Sequence, residues 1–442
     1  MKKTSLFLLL FGLVAAFMFT SCKDEDGEYK EINDWIGSKM NNYYLWTGKI
    51  SSDMLDQDGH DNPKNYYNSL LYKTEDRWSY ITDNYSALVA DLQGTPVSMG
   101  YSPLFGQDPG TNNVFIIVAY VYENSPADKA GLERGDIITK INDAQLTTSN
   151  YQSLFYNETQ KLGLAQFIPE TNNINDTDET LTMTAEVINV NPVIHSEVIT
   201  ENEKIIGYIA ISEFIDSTTF KTNVGDVLNE FLGAGVNELI VDLRYNRGGY
   251  VSSAVWLASA LAPLAEVEKQ SPFIEVEFNS KIQSEDEYYD FVSHGLNLNL
   301  EKVYFLTGQN TASASELVIS GLQPFMDVIT IGETTHGKYV GSTVFPTPDE
   351  KVNHNYAIMP IVLEYTNIDG ASVKGGIEPL VAVFDDVRVA VPFGDQSDPL
   401  LNQALEMITG VVKSGVKSVD NYPAYHLILS NRQKLKMNLI VD

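Results

Sequence analysis

The chain of 442 residues holds one cysteine, Cys22, so no disulfide can close within it. Basic residues are few and scattered. Lys and Arg number 29 against 59 Asp and Glu, a formal net charge of -30 at pH 7. Without a basic cluster, nucleic-acid binding is not expected. The acidity argues against anionic partners and suits a soluble secreted protein. The six histidines show no paired spacing, and there is no cysteine cluster or His-x-x-x-His motif. No metal site and no cofactor are therefore expected. Internal repeats and long low-complexity tracts are also missing. The length allows two or three domains.

The first residues form a targeting segment. Lys2 and Lys3 precede an apolar run from Leu6 to Phe19, and Thr20-Ser21-Cys22 follows. Phe19-Thr20-Ser21-Cys22 is similar to a bacterial lipobox, with Phe19 in place of the usual aliphatic residue. The similarity implies a signal peptide over residues 1–21 and a lipidated Cys22 that anchors the protein to a membrane. The alternative is a plain secreted protein in which the cysteine is incidental. Lys23 to Glu28 is an acidic tether. It leaves both faces of an outer membrane open as the protein's location.

Residues 22–87 read as this tether followed by a small helical region. Apolar residues at Ile32, Trp35, Ile36, Met40, Tyr43 and Tyr44 have helical spacing, and Asn62-Pro63 opens a second helix through Tyr72. Residues 88–190 change to short apolar runs and turns. Val114 to Val121 reads as a strand, and Ser125 to Leu132 as a short helix that Gly131 ends. Leu154 to Leu164 reads as another helix or an insertion, and Asn172 to Asp178 as a polar hairpin or loop. Residues 191–415 have an α/β rhythm: a strand at Ile205 to Ile211, helical spacing from Thr218 to Leu232, a strand from Glu238, a glycine turn, and a helix from Val251 to Leu261. Residues 416–442 form a tail in which Tyr425 to Ile440 adds one or two elements.

The chemistry concentrates between Thr307 and Ser342. The apolar strand Val303 to Leu306 runs into Thr311-Ala312-Ser313-Ala314-Ser315, and an apolar helical segment starts at Glu316. A serine at such a junction is presented beside the free N–H groups of a first helical turn. Those donors can hold the oxyanion formed when serine attacks a carbonyl. Serine needs a base. Lys338, between Gly337 and Tyr339, can be one if burial lowers its pKa. A Ser/Ala-rich stretch is also an ordinary helix start in which serine only caps. Ser315 reads as such a residue, with Glu316 favoured beside it by the helix dipole. His336, two residues from Lys338, leaves open a Ser-His hydrolase acting on esters.

TASASE followed by GETTHGK resembles the signature of the C-terminal-processing (tail-specific) serine proteases. The resemblance implies a Ser313 nucleophile and a Lys338 base, twenty-five residues apart. Asp242 to Gly249, DLRYNRGG, is similar to the DLRxNxGG string of the same family. It implies an oxyanion hole from the amides of Gly248 or Gly249 and of Ala314, with Asp242 and Arg244 in a structural pair or network. SPADKAGLERGDIITKIN resembles a PDZ domain, whose peptide-carboxylate loop would lie near Ser98 to Tyr101, without a clean Gly-hydrophobic-Gly pattern. Gly375 to Pro379 looks like the strand after the lysine loop, and Gly394 to Ile408 like the closing helix. One departure stands out. The glutamine that orients the lysine in many members is Ser342 here.

The expectation is an α/β, crotonase-like protease core with a PDZ domain and a small helical N-terminal region. Its implied role is a serine endopeptidase of the cell envelope acting on unfolded polypeptides or protein C-termini. The rival is a catalytically inactive, PDZ-containing, peptide-binding lipoprotein. Substrate preference and oligomeric state are not legible in the chain.

Overall fold

A handful of apolar strands, buried on both faces, builds the centre of the protein. A computed structural model describes residues 25–56, 62–108, 110–348, 355–411, 425–428 and 439–441. The signal segment and Cys22 lie outside the described residues.

The main sheet has six strands in chain order: β1 Val193–Glu201, β2 Lys204–Ile211, β3 Glu238–Asp242, β4 Lys302–Thr307, β5 Asp327–Gly332 and β6 Val381–Ala382. β1 pairs antiparallel with β2, and all later pairs are parallel. Successive side chains of a strand face opposite ways. Tyr208, Ile240, Tyr304 and Leu306 therefore share one apolar cluster with Leu400, Leu401, Ala404 and Leu405. Ile209, Leu239, Val241, Val303 and Phe305 face the other way, toward Phe220, Val224, Trp256 and Leu317. The sheet is thus covered on both faces. Four helices supply the cover: α1 Ser217–Ala234, α2 Val251–Leu261, α3 Ala314–Leu322 and α4 Pro399–Thr409. Their ends carry local signals. Asp216 caps α1 through the Thr218 and Thr219 N–H groups, and Asp398 caps α4, which has Pro399 in its first turn. Gly235 and Gly410 end α1 and α4 in the left-handed region.

A second sheet packs beyond α3. It runs Gly249–Tyr250, Leu439–Ile440, Val340–Ser342, Ile361–Asn367, Pro272–Phe278 and Glu287–Asp290. Leu439–Ile440 lies parallel between the glycine turn and the strand after Lys338. The other described piece of the tail, His426–Ile428, pairs with Tyr101–Gln107 at the edge of the PDZ-like sheet. Thus the chain end is woven into two sheets.

In the PDZ-like domain, Tyr101–Gln107, Val114–Val121, Ile137–Ile141, Thr159–Ile168 and Asn173–Thr184 follow one another across the sheet. Ser125 caps the helix Pro126–Ala130 and Gly131 ends it. The expected helix or insertion over 154–164 is instead the end of helix Tyr151–Phe155 and the start of a strand. Leu162 and Leu164 alternate at period two and pair with Ile141 and Ile138, so strand pairing decides the segment.

The N-terminal helices Glu25–Tyr43 and Pro63–Ser69, with Tyr44 and Leu70 just past their ends, bury Ile32, Ile36, Met40 and Tyr44 with Tyr66, Tyr67 and Leu70. Strand Tyr80–Thr82 then pairs with Ala357–Met359 of the core. The strand expected at Gly375 to Pro379 is a loop. Gly375 and Gly376 have positive φ, and the main chain there lies against Gly337 and Thr335. Close backbone approach to the lysine loop excludes a regular strand at that point.

Candidate active site

Ser313 sits between β4 and α3 at φ 62 and ψ -117. A non-glycine residue there stores about 1–3 kcal/mol of strain. The strain needs holding, and the carboxylate of Glu316 provides part of it. Glu316 reaches back to the Ser313 N–H at 2.8 Å, half of a capping box. The Ser313 hydroxyl stands at the other half of that box, toward the Glu316 N–H, but makes no hydrogen bond of good geometry there. It is fully buried and has no hydrogen-bond partner. A buried unpaired hydroxyl costs about 1–3 kcal/mol, and its persistence at a strained turn points to use. Ser315 differs: its hydroxyl donates to the Asn246 carbonyl at 3.1 Å and is engaged in holding the turn.

The same Glu316 carboxylate binds the lysine loop. It accepts from Lys338 N–H at 2.9 Å, Gly337 N–H at 2.6 Å and Thr335 Oγ1 at 2.5 Å. One oxygen, Oε2, serves both Ser313 and Lys338. Tyr365 repeats the link from the other side, its hydroxyl shared between the Ser313 and Lys338 carbonyls at 3.2 and 3.0 Å. Burial raises the Glu316 pKa, and these four donors oppose the rise. The structure therefore brings the main chains of Ser313 and Lys338 together across the gap in sequence.

Lys338 is fully buried. Burial drives its ammonium well below the ordinary lysine range, with Asp76 and Glu316 only partly opposing. Its Nζ lies 5.8 Å from the Trp78 ring centroid. Asp76 and Trp78 come from the N-terminal region. Asp76 accepts from Tyr44 OH at 2.7 Å, Trp78 N–H at 3.1 Å and Ser79 N–H at 2.9 Å. Glu75 takes the Tyr339 hydroxyl at 3.3 Å and Lys374 at 3.1 Å. Residues 75–79 thus form a wall over the lysine loop. His336 is neutral at pH 7, its pKa pushed down to about 4 by burial and by Lys338, Arg247 and Arg77. It is not hydrogen-bonded to Ser313 Oγ.

The DLRYNRGG turn packs directly on the serine turn. The Asn246 carbonyl accepts from Ala312 N–H at 3.1 Å as well as from Ser315. A Cβ on Gly248 would lie 2.7 Å from Ser313 Cβ and 3.1 Å from Ala314 N, and one on Gly249 would strike the Phe214 carbonyl at 2.0 Å. Both glycines have positive φ, so no other residue fits. Ala314 N–H, first in α3, has no acceptor within the helix. The Gly248 N–H is engaged by Asn246 Oδ1 at 2.9 Å, which narrows its availability as a donor. Asp242 and Arg244 form the expected buried network: Arg244 also binds Asp398, the cap of α4, at 2.8 Å. Ser342 is fully buried in the strand Val340–Ser342, where its carbonyl accepts from Val441 N–H at 3.0 Å.

Glu316, Tyr365 and the Asp76–Trp78 wall were not legible as site residues. Glu316 had a local signal, an acid three residues after a candidate cap. For Asp76 and Tyr365 no sequence spacing points to Lys338.

Sequence and structure comparisons show which known proteins the chain is similar to. Residues 205–383 match the sequence model of peptidase family S41, residues 31–80 that of the peptidase S41 N-terminal domain, and residues 117–162 a PDZ domain. The carboxyl-terminal-processing protease of Picosynechococcus sp. (strain ATCC 27264 / PCC 7002 / PR-6) is 27% identical over 286 residues, 64% of each chain. The carboxy-terminal processing protease CtpB of Bacillus subtilis (strain 168) is 24% identical over 282 residues, 63% of this chain and 54% of that one. The match thus spans less than two thirds of either relative. A crystal structure from Bacteroides fragilis NCTC 9343 assigned to the S41 proteases superposes with a TM-score of 0.70 at 27% identity, covering 86% of this chain and 98% of that one. The photosystem II D1 C-terminal processing protease shares the fold, with a TM-score of 0.53 at 19% identity over 87% of this chain and 98% of that one.

Proposed function

We propose that this chain, with its peptidase family S41 fold and PDZ domain, is a serine endopeptidase that cleaves unfolded polypeptides or protein C-terminal regions. One observation carries the reading. A single carboxylate oxygen of Glu316 ties a strained, unpaired serine to a wholly buried lysine. In the proposed reaction Ser313 Oγ attacks the peptide carbonyl and Lys338 Nζ takes its proton. The tetrahedral oxyanion is held by the Ala314 amide together with that of Gly248 or Gly249. Collapse expels the amine, which receives the proton from Lys338. Water then hydrolyses the acyl-enzyme by the same route.

A neutral amine is what a lysine base requires, and burial supplies it. The Ser313 hydroxyl is unbonded here, and its encounter with the amine belongs to the substrate-bound form. Both side chains are fully covered, so a polypeptide reaches them only when the surrounding segments part. The PDZ domain is suited to take an extended peptide by strand addition. The family's orienting glutamine is absent, and Asp76 with the Trp78 ring is the proposed substitute beside Ser342. Names of relatives that process carboxyl termini support the same substrate class. They give no support to the inactive peptide-binding alternative. In the proposed setting Cys22 anchors the protein in the cell envelope. Among the described residues no helix is long and apolar enough to cross a membrane.

Cleavage of casein by wild type, Ser313→Ala and Lys338→Ala tests the dyad. Each variant should lose at least about a thousandfold in kcat/KM. Equal activity in all three proteins rejects it.

A further inference from the structure

The DLRYNRGG turn carries a second arginine that neither the fold nor the proposed chemistry uses. Three other guanidinium groups are buried among the described residues, and each meets a carboxylate: Arg244 with Asp242 and Asp398, Arg134 with Asp385, Arg388 with Asp386. Arg247 is 7% exposed and has no carboxylate within ion-pair distance among the described residues. A guanidinium has five N–H donors. Here one nitrogen, Nη2, donates to Asn310 Oδ1 at 2.9 Å, while Nε has no partner. Burial lowers the pKa of the group, and the field of Tyr120, Glu213 and Tyr122 only partly compensates. A desolvated, under-bonded cation is costly unless an anion completes it.

Its position indicates what that anion is. Arg247 lines a cavity of about 90 Å³ between the core and the PDZ domain, together with Ser98, Tyr101, Tyr122, Ser212 and Glu213. Ser98 and Tyr101 bound the stretch where the peptide-carboxylate loop is expected. On the other side, the neighbouring Gly248 touches Ser313, and Asn310 stands three residues before it. The guanidinium therefore lies between the PDZ domain and the nucleophile.

Building on the peptidase reading, we propose that Arg247 receives a carboxylate of the polypeptide substrate close to the scissile bond. Two sources share that chemistry, an acidic side chain and the α-carboxylate of a chain end. Glu213 sets the limit on affinity. It also lines the cavity, is held by the Tyr122 hydroxyl at 2.8 Å, and repels an incoming anion.

The test is binding to full-length Ser313→Ala protein, which keeps the peptide intact whatever the wild type's turnover. Three fluorescein-labelled unstructured peptides are compared by anisotropy: one with a glutamate and an amidated C-terminus, its glutamine isostere with the same amide, and the glutamine peptide with a free carboxylate. One carboxylate peptide should bind about tenfold or more tightly than the uncharged one, as expected for a charge-assisted hydrogen bond. The glutamate and free-acid arms tell the two sources apart. Adding Arg247→Met should erase the preference, Arg247→Lys should keep part of it, and Glu213→Gln should increase it. Thermal melting checks that each variant is folded. If Arg247→Met does not fold, the Lys and Gln variants carry the same test. Equal or absent binding of all three peptides overturns the proposal, as does an unchanged preference in folded Arg247 variants. Failure of the peptidase reading would look different: carboxylate-selective binding with no cleavage by the wild type.

Discussion

Arg244 and Lys338 are both buried basic side chains of one core, and their surroundings are opposite. Arg244 is enclosed by Asp242, Asp385 and Asp398, and its guanidinium pKa rises above its ordinary range despite burial. Lys338 has an indole ring beside it and only partial opposition from Asp76 and Glu316, and its pKa falls. Burial acts in the same direction on both, against the charged form. The balance of burial against nearby opposite charge sets the direction of each shift. A compensated cation cross-links β3, its turn and the cap of α4. One whose burial outweighs its compensation is pushed toward the neutral amine, which is a base. Arg247 is intermediate: burial outweighs the opposing charges there too, yet a guanidinium is too strong a base to lose its proton.

Three experiments would break or sharpen this contrast. The largest effect is expected from Arg244→Met, which strands Asp242 and Asp398 without a counter-charge. Urea unfolding should show a loss of about 3–5 kcal/mol. A neutral result would mean the network contributes nothing to the fold. Lys338→Met should act in the other direction. The folded chain keeps this amine neutral at pH values where the unfolded chain protonates it, between the depressed value and 10.5. In that window the unfolded state binds the extra proton, so the wild-type site costs more stability as pH falls. Lys338→Met should therefore gain about 1–3 kcal/mol at neutral pH, and the gain should shrink toward pH 10.5. A melting temperature lowered at every pH would argue that the lysine is structural.

The smallest effect concerns the wall over the lysine. Asp76 holds the Lys338 pKa up. Asp76→Asn should lower it further and move the acidic limb of the kcat/KM profile to lower pH, with a loss of about tenfold or less at the plateau. A limb that stays in place while kcat/KM falls would leave Asp76 as a support for Trp78 and Ser79 alone.

Much of this was visible in the chain. Short apolar runs marked Val114 to Val121, Ile205 to Ile211 and Val303 to Leu306, and a glycine turn with a following helix marked Gly248 to Leu261. These are local patterns, because backbone sterics and side-chain alternation act between near neighbours. The segment at 154–164 was misread because a short apolar run suits either period, and its pairing with Ile137–Ile141 chose the strand. Gly375 to Pro379 was misread because its conformation answers to Gly337 across the loop. Ser313 and Lys338 stood out as residue types at the ends of elements, but nothing between them announces Glu316 Oε2 or Tyr365 as their common tether.

By itself the sequence determined which side chains can do chemistry and which segments form strands and helices, since those properties reside in single residues and their near neighbours. Only the tertiary structure decided that Lys338 is dry, that Ser313 is strained and unpaired, and that the charge of Asp76 from the N-terminal region acts on the amine. Protonation and strain depend on what surrounds a group on all sides, and segments hundreds of residues apart supply those surroundings.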